Sequence, residues 1–122
     1  MEGNNTQSDF WVMEQVEPTI FAEPSGDACD QYHRYEQDIA MRAGLGFNVY
    51  RFSVEWARIE PEPGLFSTAA LNHYRRVLEA CHRHGISPIV TYHHFSSPRW
   101  VAAGAAGRRW RRRRGLANTR SG

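Results

Sequence analysis

Two stretches of the chain repeat the same change of rhythm, from helical to extended. In "EPSGDACDQYHRYEQDIAMRAGLG", Ala28, Tyr32, Tyr35, Ile39 and Ala43 recur at spacings of 4, 3, 4 and 4, which places them on one side of a helix. Ser25 or Asp27 can cap its start, and Gly44 can take the left-handed turn at its end. "FNVYRFSV" follows at once, β-branched and aromatic, and the turn-forming "EPEPG" stops it. The cycle then repeats. Ser67 caps a second helix that shows Leu71, Tyr74, Leu78 and Cys81 on one side, and Gly85 closes it. "SPIVTY" is the next strand, with Pro88 near its start, where a missing N–H is tolerated. Helices and strands alternating with short connections predict an α/β fold with a parallel sheet and right-handed crossovers.

In such folds the chemistry gathers at the carboxyl ends of the strands. Two clusters fall there: Arg51 to Arg58 on or after the first strand, and His93 to Trp100 after the second. Beyond Gly107 the periodicity stops, and "GRRWRRRR" reads as a solvated, disordered extension.

Composition sharpens this division. The chain has 122 residues, enough for one small domain, and all 15 of its basic residues are arginine. Residues 1–107 carry 8 Arg against 13 Asp and Glu, a balance of −5, whereas residues 108–122 carry 7 Arg and no acid. An acidic body gives no reason to expect nucleic acid as a partner. The rival expectation is a basic arm whose arginines neutralise phosphates or anionic lipid headgroups while Trp110 stacks on a base. The N-terminal "MEGNNTQSDFW" lacks the basic and apolar regions of a signal peptide, so a cytoplasmic location is expected. No apolar run is long enough to span a bilayer, and no membrane partner is expected. Cys29 and Cys81 fall in helical patterns and are expected to be buried free thiols. Among Cys29, Cys81, His82, His84, His93 and His94 no spacing suits zinc, so no metal and no cofactor are expected.

"YRFSVEWARIEPEPG" and "TYHHFSSP" resemble the second and third barrel strands of the family-1 β-glycosidases, which include the bacterial β-glucosidases. The helices before each strand are similar to that family's first and second helices, and the resemblance runs over roughly residues 2 to 103. It implies a partial (β/α)₈ barrel, strands two and three with helices one and two, in a family that cleaves β-glycosides with retention. Retention uses two carboxylates about 5–5.5 Å apart, a nucleophile and an acid/base. In the family these stand in Asn-Glu-Pro and Glu-Asn-Gly motifs, and neither motif occurs in this chain.

What the resemblance leaves is part of a sugar site. Arg51 would approach and orient the nucleophilic carboxylate. Mid-strand, an unpaired charge would be costly, which favours such a role. His94 matches the histidine that hydrogen-bonds a sugar hydroxyl. Phe95 takes the place of the family's usual tryptophan, keeping an aromatic wall and losing an N–H donor. Ser96 and Ser97 replace the commoner Asp-Leu. Glu55 is expected to serve as a surface or ion-pair residue, and Glu60 and Glu62 as solvated loop charges.

The expected organisation is therefore residues 1–103 as the N-terminal part of such a barrel and 104–122 as a basic tail. Ala105 to Arg108 can be encoded GCG-GCT-GGG-AG, which from its third base reads Gly-Trp-Glu, as the family has there. The tail is thus expected to be a frameshift product. The chain itself is expected to be a truncated, inactive β-glucosidase-like fragment.

Overall fold

The computed structural model describes residues 2–104. Of the expected tail, 104–122, residues 105–122 lie outside the described residues, as do the expectations of disorder, frameshift and basic-arm binding made for it. The described part holds α1 (Asp9–Gln15), α2 (Gln31–Gly44), β1 (Val49–Ser53), α3 (Trp56–Ile59), α4 (Thr68–Arg83) and β2 (Ser87–Thr91). β1 and β2 pair in parallel, with Val49 opposite Ser87 and Ser53 opposite Thr91. The fold is α/β with a two-stranded parallel sheet.

Both long helices end in the same way, and this is how each delivers a strand. At the end of α2, the N–H of Gly46 bonds Ala43 O and that of Phe47 bonds Arg42 O. At the end of α4, the N–H of Gly85 bonds His82 O and that of Ile86 bonds Cys81 O. These are paired Schellman closures, and each needs a left-handed residue that glycine supplies, at φ +90° for Gly46 and +69° for Gly85. Gly85 closes α4 as expected. Gly44, by contrast, is the last helical residue, and Gly46 makes the turn.

The start of α2 also differs from expectation. Its N-cap is Asp30, in a left-handed conformation and without a side-chain cap bond. The Asp30 carboxylate instead meets His33 Nδ1 at 2.7 Å. Ser25 and Asp27 lie in the preceding turns, where Ala28 N–H bonds Ser25 O and Asp30 N–H bonds Asp27 O. Ala28 (φ +48°) is therefore outside the helical stripe, and Cys29 is exposed rather than buried. Only Cys81 is a buried thiol, and burial pushes its pKa up.

The core forms where α2 and α4 cover one face of the sheet. Ile39, Val77, Ala80, Cys81 and Ile86 are buried there, with Tyr35, Ala43, Tyr50 and Phe52 packed against them. On α4 the buried face is Ala70, His73, Tyr74, Val77, Ala80 and Cys81. Tyr74 and Cys81 were expected on it, whereas Leu71 is 47% exposed. The buried face of α4 thus runs through Ala70, His73, Val77 and Ala80 rather than through Leu71. The other sheet face is open, with Val49 and Ile89 about half exposed and Arg51 exposed between them. Arg51 is therefore solvated here, and the expected burial cost does not arise.

Two short helices were not expected. In α1 the Ser8 hydroxyl accepts from Trp11 N–H at 3.1 Å, and in α3 the Glu55 carboxylate accepts from Ala57 N–H at 3.4 Å. With seven and four residues, neither is long enough to show a periodic stripe.

Candidate functional site

The described N-terminal residues close over the carboxyl end of the strand pair. Asp9 N–H bonds Ser97 O at 2.8 Å, and its carboxylate accepts Ser97 N–H at 2.9 Å. Arg99 N–H bonds Gln7 O, and Ser8 pairs with Pro98 in an isolated antiparallel bridge. The loop after β2 is thereby fixed to a segment some ninety residues earlier.

Under this clasp lies a cavity of about 530 Å³. Arg51 reaches it from β1, and His94 and Phe95 from the loop after β2. The three expected site residues, 43 or 44 positions apart in sequence, are thus brought to one place. The His94 and Phe95 rings are 4.8 Å apart, and both side chains are exposed. Among the described residues, no acid forms an ion pair with Arg51.

Beside them is a polar group that sequence reasoning missed. Glu2 Oε2 lies 3.0 Å from Arg58 Nε, and the Tyr74 hydroxyl donates to the Glu2 carboxylate at 3.0 and 3.1 Å. That hydroxyl accepts Glu55 N–H at 2.9 Å, and Arg58 also donates to the carbonyl of Gly3. Burial raises the Glu2 pKa. The Arg58 charge and the Tyr74 hydrogen bond oppose the shift, and the Glu55 charge adds to it. Burial also pushes the Tyr74 phenol up, reinforced by Glu2. Glu2 and Arg58 are 56 residues apart, and no local pattern announces such a pair.

His73 is the second omission. It is 3% exposed, stacks on Tyr32 at 3.7 Å and meets Tyr35 and Tyr74 edge-on. Burial lowers its pKa to about 4, with the charges of Arg76, Arg58 and His33 acting in the same direction.

Two acids differ from expectation. Glu55 is partly buried, capping α3 and accepting the Ser96 hydroxyl at 2.9 and 3.2 Å. Glu60 accepts Gly64 N–H and the Trp56 indole N–H, both at 2.8 Å, and these bonds lower its pKa. Its backbone carbonyl takes the Trp100 indole N–H at 3.0 Å, so Glu60 ties the two tryptophans together. Among the described residues, no three His, Cys, Asp or Glu side chains converge as a metal site. No helix among them is long and apolar enough to cross a membrane.

A parallel strand pair that lines a cavity with a cation from one strand, and with an imidazole and an aromatic ring beyond the carboxyl end of the other, has the layout of a β/α enzyme binding a polar ligand. The family profile of Glycosyl hydrolase family 1 matches residues 4–112, and the chain belongs to that family. A solved structure titled beta-glucosidase 1317 is 62% identical, with a TM-score of 0.84 over 86% of this chain and 26% of its own. Thermostable beta-glucosidase B of Thermobispora bispora is 47% identical over 61% of this chain and 16% of its own length. The family-1 beta-glucosidase of Thermotoga maritima, solved in complex with castanospermine, is 29% identical with a TM-score of 0.80. It is covered over 26% of its length by 86% of this chain. The chain thus matches β-glucosidases of the TIM-barrel class over only part of their length.

Proposed function

We propose that the described residues are strands two and three of a family-1 (β/α)₈ barrel, with their flanking helices, and carry part of the sugar site of a retaining β-glucosidase-type hydrolase. The observation behind this reading is the convergence of Arg51, from the middle of β1, with His94 and Phe95, from the loop after β2, on one cavity. Arg51, without an acidic partner among the described residues, supplies the positive charge that keeps a nucleophilic carboxylate ionised and oriented. His94 hydrogen-bonds a sugar hydroxyl, and Phe95 gives the sugar an apolar wall. The substrate class is a β-glycoside. The two carboxylates that break the glycosidic bond are not in this chain, since it has neither Asn-Glu-Pro nor Glu-Asn-Gly. By itself it has no nucleophile and no general acid, and it does not turn over.

Two measurements test this. An aryl β-glucoside incubated with highly purified chain should hydrolyse at the buffer rate; turnover abolished by His94→Ala would overturn the inactivity. Castanospermine titrated into labelled chain should shift the His94 and Arg51 side-chain resonances. Shifts confined to other parts of the molecule would remove these residues from the sugar site.

A further inference from the structure

The residue that presents the aromatic wall stands in an unfavourable backbone conformation. Phe95 has φ +67°, where its Cβ crowds the backbone. Ser96 N–H donates to His94 O at 2.9 Å, closing a three-residue turn with Phe95 at its centre. With positive φ this is the rare, strained form of the γ-turn. Packing does not hold it, because Phe95 is 76% exposed.

The hold comes from the residue that follows. The Ser96 hydroxyl donates to Glu55 Oε2 at 2.9 Å and Oε1 at 3.2 Å. Glu55 is in turn anchored, with its N–H on the Tyr74 hydroxyl and its carboxylate on the first turn of α3. Beyond Ser96, Ser97 is docked through its backbone on Asp9 and lies 3.3 Å from His93 Nε2. The strained residue is therefore clamped on its carboxyl side to an acid from the other strand's end.

We propose that Glu55 and Ser96 are positioning residues, and that the hydroxyl–carboxylate bond between them keeps Phe95 left-handed and so sets His94 and Phe95 in the cavity. The relevance to sugar binding rests on the function proposed above. The chemistry depends on the serine. A hydroxyl can donate to Glu55, whereas an ionised aspartate, the commoner residue in the resemblance at this position, can only accept and would be repelled.

The test uses NMR of the full chain, with backbone couplings reporting the sign of φ at Phe95 and castanospermine as the probe. Ser96→Ala should lose the positive φ and bind castanospermine about tenfold more weakly, the scale of one hydrogen bond to a charged group. Ser96→Thr, which keeps the hydroxyl, should retain both. Phe95→Gly in the Ser96→Ala background should recover the turn, since glycine adopts positive φ without a Cβ clash. Far-UV circular dichroism identical to wild type separates these effects from unfolding. A positive φ in Ser96→Ala with unchanged affinity overturns the proposal. If Ser96→Ala does not fold, Ser96→Thr decides: a folded Ser96→Thr with negative φ also overturns it. If the wild-type chain does not bind castanospermine, the sugar-site reading fails, while the couplings alone still decide whether Ser96 holds the turn.

Discussion

Ile39 and Ile89 are the same residue type on opposite sides of one small sheet. Ile39, on α2, is fully buried among Val77, Ala80, Cys81 and Ile86, whereas Ile89, on β2, is 52% exposed beside Val49 and Arg51. The helix-covered side is filled by apolar contacts and supplies the stability. The open side and the strand ends carry charge, imidazole and exposed rings, and there polar bonds to distant residues do the holding. Hydrophobic burial is non-directional and scales with area, so it can stabilise a face without specifying a site. A site needs directional bonds, and Glu2, Glu55, Asp9 and Glu60 provide them here.

The sharpest way to break this comparison is to truncate both isoleucines. Ile39→Ala should cost about 2–5 kcal/mol, the range for a fully buried aliphatic side chain. With only two strands in the sheet among the described residues, that should abolish cooperative unfolding as followed by urea and far-UV circular dichroism. Ile89→Ala should stay within about 0.5 kcal/mol of wild type. Similar losses for the two would mean that the open face is covered in solution.

A pH series probes the border between the two regions. His73 is buried neutral with its pKa lowered to about 4, so its contribution is fully present above the unfolded value of 6.5 and is lost as pH falls towards 4. The loss is at most about 3 kcal/mol, from the size of the shift. Glu2 runs the other way. Its raised carboxyl favours the folded state at low pH, and that contribution fades as pH rises through its folded value. His73→Phe keeps the stack on Tyr32 and removes the titration, so its stability should be flatter between pH 6.5 and 4. An unchanged acid slope would place the sensitivity elsewhere.

A smaller effect belongs to the cap of α4. Ser67→Ala removes the hydroxyl that accepts Ala70 N–H at 3.2 Å and should lower stability by about 1 kcal/mol, with Ser67→Asp restoring it. The smallest belongs to the exposed Glu36, which meets Arg83 at 2.5 Å and His84 at 3.1 Å. Glu36→Gln should leave the denaturation midpoint within error, since exposed ion pairs contribute little. A midpoint shift larger than that of Ser67→Ala would show this pair to be part of the core's support.

The sequence by itself determined the two long helices and the two strands, and their order. Ser67 and Gly85 bracket α4 because capping and left-handed closure need only neighbouring residues. The alternation of helix and strand implied the parallel pair, and the motifs around Arg51 and His94 directed attention to β1 and to the loop after β2, both of which line the cavity. Tertiary structure decided what depends on partners far along the chain. It set which face of α4 is buried, the exposure of Cys29 and Arg51, the Glu2–Arg58–Tyr74 group, and the use of Glu55 to hold Ser96. The physical reason is range. Propensities and caps act over a few residues, whereas a partly buried ion pair or a clamped turn depends on groups that meet only after the chain has closed.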